Sequence, residues 1–181
     1  EKTQKVFPVF DIFYVYINGK KNIRKLCQKE KQYMYYLNNQ KLVQEMAIVT
    51  EEINETIYLI KKLKDETCTF SKAFYILKKH YGFRSNAQLA NKMNISESTI
   101  RNYLLGKNKP DKIETVLAIC VGFSLHPAVS KIIMNKTGLT YLDKSLYSQM
   151  VIELILNRWY REDIEIINEK LRVLNVKFMI P

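Results

Sequence analysis

The sequence predicts a mainly α protein: an all-helical domain preceded by a long helix and a small N-terminal β-hairpin. Three observations carry that expectation. Residues 30–64 contain neither Gly nor Pro and place apolar side chains at alternating steps of four and three. From residue 67 on, apolar stripes of helical period recur between capping residues and Gly or Pro stops, with short connections. Ahead of both, an aromatic and β-branched run ends in Asn18-Gly19, the strongest short-range hairpin signal. The chain has 181 residues, 47% of them hydrophobic, which is enough to bury a core.

The hairpin is expected over residues 1–28. Residues 5–17 alternate Val, Phe, Ile and Tyr, and a return strand over 20–27 would pair with them. A lone hairpin is marginal in water, so it needs a helix or another chain to pack on. Residues 29–66 form the expected long helix. Leu42, Met46, Val49, Ile53, Ile60 and Leu63 follow a heptad seam, Thr56 fills its gap, and Tyr35 and Asn39 extend it upstream. The seam fits a coiled-coil dimerisation arm, and it equally fits an amphipathic helix packed within its own chain.

Beyond Asp65-Glu66, Thr69 or Ser71 caps a helix whose stripe is Phe70, Phe74 and Leu77, and Gly82 stops it. Helices are then expected over 86–93, 96–105, 113–121 (ending at Gly122) and 127–135 (ending near Gly138). Asp143 is expected to cap a long helix running to Trp159, and 161–174 makes the last of seven. The boundary between arm and domain falls near 64–67, with a first domain over 67–122 and a C-terminal helical extension over 123–181.

Charge narrows the function classes. The chain carries 29 Lys+Arg against 18 Asp+Glu, a formal charge of +11 that favours a polyanionic partner. Residues 1–41 hold net +6 and residues 72–112 net +7, whereas 42–71 hold net −3. Cys27, Cys68 and Cys120 show no zinc or disulfide spacing, so reduced thiols in a cytoplasmic protein are expected. The apolar run at 6–17 is too short to span a bilayer, is interrupted by Asp11 and lacks a secretory cleavage site, so no membrane association is expected. Glu1 rather than Met opens the chain, which fits a natural start upstream of it.

The stretch NAQLANKMNISESTIRNYLLGKNKP (86–110) supplies what a helix-turn-helix requires. Ala90 is small where the second helix must cross the first. Asn94 tolerates a left-handed backbone in the turn. Ser96, with Thr99 following, caps the second helix. Leu89, Met93, Ile95, Ile100, Tyr103 and Leu104 face inward, and Glu97, Ser98, Arg101 and Asn102 face outward. Short polar side chains on the first half of a helix that can enter a major groove are base readers, so these four are the candidate base contacts. Asn86, at the start of the first helix, and Lys107, Asn108 and Lys109, in the loop after Gly106, are candidate phosphate contacts, as are Ser96 and Thr99.

Residues 70–122 resemble the phage repressor and Cro family of helix-turn-helix domains. The markers are Gln88-Leu89-Ala90, Ile95-Ser96, Ser98-Thr99-Ile100, Gly106-Lys107, Lys109-Pro110 and Ile113-Glu114-Thr115-Val116. The resemblance implies a five-helix DNA-binding domain, base contact by Glu97, Ser98 and Asn102, and phosphate contact by Asn86, Lys107 and Lys109. Two positions depart from the family pattern: Asn86 replaces a common Gln, and Glu97 opens the second helix with a negative charge. A carboxylate there accepts from cytosine N4 but repels the backbone.

Other chemistry is thin. His80 and His126 lie far apart without metal-binding companions, and no Gly-rich phosphate loop exists. The acids of REDIEIINE (161–169) are interleaved with Ile164, Ile167 and Leu171, an ordinary amphipathic helix. Trp159, Tyr160, Tyr33, Tyr35 and Tyr36 fit core or dimer contacts better than base stacking. No enzyme activity, metal or cofactor is expected. The expected function is sequence-specific binding of double-stranded DNA by a homodimeric transcriptional regulator, its dimer formed through the long helix at about 35–63, the C-terminal helices, or both. The alternative is a protein-interaction module, such as an antitoxin, that grips a partner through residues 1–64. A weaker third is an RNA-binding or mobile-element accessory protein using the basic N-terminal block.

Overall fold

The computed structural model describes residues 28–181, and the expected hairpin strands at 5–17 and 20–27 lie outside the described residues. The described part is mainly helical, with eight α-helices and no strand. The first, α1 (Gln28–Leu63), is 36 residues long. The chain divides into two compact units between Asn54 and Glu55, inside this helix. That division precedes the expected boundary at 64–67, because Leu59 and Leu63 on the last turns of α1 are buried in the core of the second unit. None of the helices among the described residues is long and apolar enough to cross a membrane.

The second unit builds seven helices: α2 (Phe70–His80), α3 (Asn86–Met93), α4 (Glu97–Leu104), α5 (Ile113–Gly122), α6 (Pro127–Thr137), α7 (Leu146–Leu154) and α8 (Ile164–Val173). At its centre lies α5, in which Val116, Leu117, Ala118, Ile119 and Cys120 are all fully buried. A helix that is apolar on every side has to be surrounded. Each Leu or Ile removed from water there contributes about 1.5–3 kcal/mol before entropy is counted. Phe74 of α2 sits among aromatic rings, edge-on to Tyr103 at 5.9 Å and to Phe123 at 5.6 Å, so α2, α4 and the end of α5 share one aromatic cluster.

One glycine sets how closely two helices meet. A Cβ on Gly122 would lie 2.4 Å from Cγ of Met93, so only glycine lets the end of α5 approach the end of α3 this closely.

The C-terminal helices differ from expectation at their starts. Ser145, not Asp143, is the N-cap of α7; its Oγ accepts from the Ser148 N–H at 3.3 Å, while 141–144 form a turn closed by Lys144 N–H to Tyr141 O. The helix expected to run unbroken to Trp159 instead widens after Leu154 into a π turn, Ile155–Trp159. The last helix opens at Asp163 rather than 161, and Asp163 makes no side-chain cap, because its carboxylate bonds Lys92 at 2.7 Å. The tail is pinned by Asn168, whose amide both donates to Ile180 O at 2.8 Å and accepts from Ile180 N–H at 2.9 Å.

Candidate nucleic-acid interface

The segment 85–109 is assembled from local interactions first. Ser85 caps α3: its Oγ accepts from Gln88 N–H at 3.1 Å, and Gln88 Oε1 accepts in return from Ser85 N–H at 3.2 Å and Arg84 N–H at 2.9 Å. This reciprocal box satisfies amide donors that the first turn leaves without partners. The helix ends at Asn94, whose left-handed backbone (φ 51°, ψ 39°) reverses the chain, and Ile95 N–H returns to Ala90 O at 3.0 Å. Ala90 is buried where α4 crosses. Ser96 then opens α4, its Oγ accepting from Thr99 N–H at 3.2 Å.

Tertiary contacts fix the far end. Ile100 and Tyr103 anchor the inner face of α4, and Ser71 Oγ donates to Leu104 O at 2.8 Å, tying α2 to its last turn. Gly106 adopts φ 67°, and Lys107 N–H closes back onto Asn102 O at 3.0 Å, so the chain leaves α4 in a tight left-handed cap.

The outer face of α4 is open. Glu97, Ser98 and Arg101 are exposed and Asn102 is half-buried. Glu97 and Arg101 lie one turn apart with their charged ends 4.0 Å from each other, so the carboxylate is partly answered on its own helix.

The candidate phosphate contacts divide into two groups. Lys107, Asn108 and Lys109 are exposed beyond the end of α4. Lys109 also leans toward the C-terminus of α6, since a Cβ built on Gly138 would lie 3.5 Å from its Nζ. The other group is already engaged within the fold. Ser96 Oγ is shared with Ser98 Oγ at 2.9 Å and Thr99 Oγ1 at 2.7 Å, so the hydroxyls of Ser96 and Thr99 serve the helix start. Asn86 is half-buried, and its Oδ1 accepts from Lys78 Nζ at 2.6 Å.

Two residues here escaped the sequence reading. Ser85, immediately before the helix start at Asn86, is the N-cap of α3, and its capping-box spacing with Gln88 was legible in the sequence. Lys78 is eight residues upstream on α2, and only the fold brings its ammonium to the start of α3. Conversely, Lys92 belongs to the basic block in sequence, yet its charge is spent on Asp163, whose carboxyl is held below its ordinary value first by that hydrogen bond and then by the ammonium charge.

The remaining candidate residues have structural partners. His80 Nε2 contacts Glu55 Oε1 at 2.7 Å, and His126 Nδ1 accepts from Ala128 N–H at 3.3 Å as the cap of α6. Glu162 pairs with Lys170 at 2.5 Å, and the same lysine lies over the Trp159 ring at 4.8 Å. Cys68 and Cys120 are free and buried.

The expected dimer seam is split by the fold. Leu63 is wholly buried in the core and so unavailable to a second chain, and Ile60 is half-buried against that core. Leu42, Met46, Val49 and Ile53 are 54%, 61%, 53% and 53% exposed. Set against family models, curated proteins and solved structures, the chain matches none of them.

Proposed function

We propose that residues 67–122 form a helix-turn-helix of phage-repressor type, and that the protein is a cytoplasmic, sequence-specific binder of double-stranded DNA acting as a dimeric transcriptional regulator. The observation that carries this is the outward face of α4. It follows a left-handed Asn94 turn, presents Glu97, Ser98, Arg101 and Asn102 away from the core, and lies within a block of net +7 charge. In this role α4 enters the major groove. Arg101 and Asn102 supply donors and an acceptor for base edges, Glu97 accepts from cytosine N4, and Lys107 and Lys109 hold the phosphates at its end. A two-fold dimer places its recognition helices about 34 Å or a multiple apart, so the operator is an inverted repeat.

The test separates base reading from phosphate holding. Selection from a random duplex pool should enrich a palindrome, and fluorescence anisotropy on that site should then distinguish two pairs of variants. Ser98→Ala with Asn102→Ala should relax discrimination against mismatched sites by about 1–3 kcal/mol per lost base contact. Lys107→Ala with Lys109→Ala should weaken binding to every sequence alike and reduce the slope of log K against log salt by about one unit per lost phosphate contact. No enrichment from the pool, or the same behaviour from both pairs, would overturn the assignment.

An interaction module that grips a different protein through residues 1–64 is the alternative, favoured by the apolar ridge of α1. A stoichiometric heterologous complex that requires residues 1–64 would support it, and a clean homodimer by light scattering would exclude it.

A further inference from the structure

The ridge on α1 carries more information than its exposure. Met46 and Ile53 occupy one seam position of the heptad and Leu42 and Val49 the other, all on residues of the first unit and all more than half exposed. A strict 3.5-residue repeat drifts around a straight α-helix, and it stays aligned only when the helix supercoils with another helix of the same repeat. Such a repeat fits a second helix of the same repeat better than a loop or a strand.

Two further features identify which helix and which direction. Asn39 stands at the seam position of Met46 and Ile53, one heptad earlier. A single Asn at that position pairs with its own counterpart in a parallel, in-register two-stranded coil, and it faces Met46 if the parallel register slips by one heptad. The flanking charges point the same way. Glu45 and Glu52 line one flank of the seam, and Val43 and Thr50 line the other. Parallel strands set each flank against the opposite flank of the partner, so these glutamates meet neutral side chains. Antiparallel strands centred between Met46 and Val49 bring Glu45 of one copy toward Glu52 of the other, twice.

We infer that residues 39–53 of α1 form a parallel, in-register, two-stranded coiled coil with a second copy of this chain, with Asn39 facing its own counterpart across the seam. This narrows the dimer of the proposed function to one interface and one orientation. The coil's two-fold axis makes the two copies equivalent, as an inverted-repeat operator requires.

The test uses the full chain with Cys27→Ser to remove a competing thiol. Asn39→Cys and Val49→Cys are then equilibrated separately in a glutathione redox buffer. In the parallel register each new thiol faces its own counterpart within the 4.4–6.8 Å Cα separation that a disulfide needs, so about 90% or more of each variant should run as a covalent dimer. In the antiparallel arrangement position 39 faces position 56, about 25 Å along the helix from its own counterpart, and Asn39→Cys should not cross-link. Met46→Glu, which puts two carboxylates into the seam, should weaken dimerisation by about 100-fold or more in sedimentation equilibrium while circular dichroism keeps its helical signal. A dimer in which Asn39→Cys does not cross-link, whatever Val49→Cys does, or a monomer at tens of micromolar, overturns the inference. Duplex-DNA binding measured on the same samples keeps the two proposals apart: binding without cross-linking sinks the coil alone, and cross-linking without binding sinks the DNA assignment alone.

Discussion

Gly122→Ala tests the close approach of α5 to the end of α3. The added Cβ would lie 2.4 Å from Met93 Cγ and 3.4 Å from both Met93 Cε and Lys92 O. Carbon atoms rest at about 3.5–4.0 Å, so the first contact is too short by about 1 Å or more. Met93 is fully buried, and Cγ is too near its backbone to swing clear without a new χ1 rotamer. Overpacking of this kind costs about 1–3 kcal/mol, offset by up to about 1 kcal/mol from replacing a helical glycine with alanine. The expected net loss is about 1–2 kcal/mol, or about 4–8 °C in Tm for a unit of this size. Urea unfolding followed by circular dichroism measures it, and Met93→Ala supplies the control. Truncating Met93 opens space for the new methyl, so the double variant should be more stable than the sum of the single losses by about 1 kcal/mol. Wild-type stability in Gly122→Ala, or strict additivity in the double variant, would refute the contact.

Two other perturbations probe the candidate site and the C-terminal helices. Ser85→Ala removes the cap of α3 and should cost about 1 kcal/mol in urea unfolding, whereas Ser85→Asp should hold stability near wild type; equal losses from both would rule out a capping role. The pair Tyr141–Glu153 predicts pH dependence at both extremes. Burial first, then the hydrogen bond to Glu153, pushes the Tyr141 phenol up to about 12 from its ordinary 10, and the same hydrogen bond holds the Glu153 carboxyl below its ordinary 4.5. A raised tyrosine contributes stability that is complete below pH 10 and is lost as pH climbs through about 12. A lowered carboxyl contributes stability present above pH 4.5 and lost as pH falls through its folded-state value. Tyr141→Phe should therefore flatten the decline of Tm below pH 4.5 and remove one late phenolate from the alkaline absorbance titration; unchanged curves at both ends would refute the pair.

Much of the candidate site was legible because its signals are local. Asn94 in a left-handed turn, Ser96 as a cap and the Ile100/Tyr103 inner face depend on residues within four or five positions of each other. The same holds for α3 and α5, which begin where the sequence placed them. Misplacements occurred where two local signals competed: Asp143 and Ser145 are both good caps, and the turn at 141–144 selects the second. The capping box of Ser85 and Gln88 was present in the sequence just ahead of the expected helix start at Asn86.

The sequence by itself determined that the chain is mainly helical, where a helix pair turns at Asn94, and that its positive charge concentrates in two blocks, because periodicity, backbone preference and composition are properties of neighbours along the chain. Only the tertiary structure decided which charges and apolar residues are already committed. Lys92 is spent on Asp163, 71 residues away, Lys78 reaches Asn86 from another helix, and Leu63 leaves the heptad seam for the core while Leu42 to Ile53 stay exposed. Those commitments depend on distances between residues remote in sequence, and packing alone sets such distances.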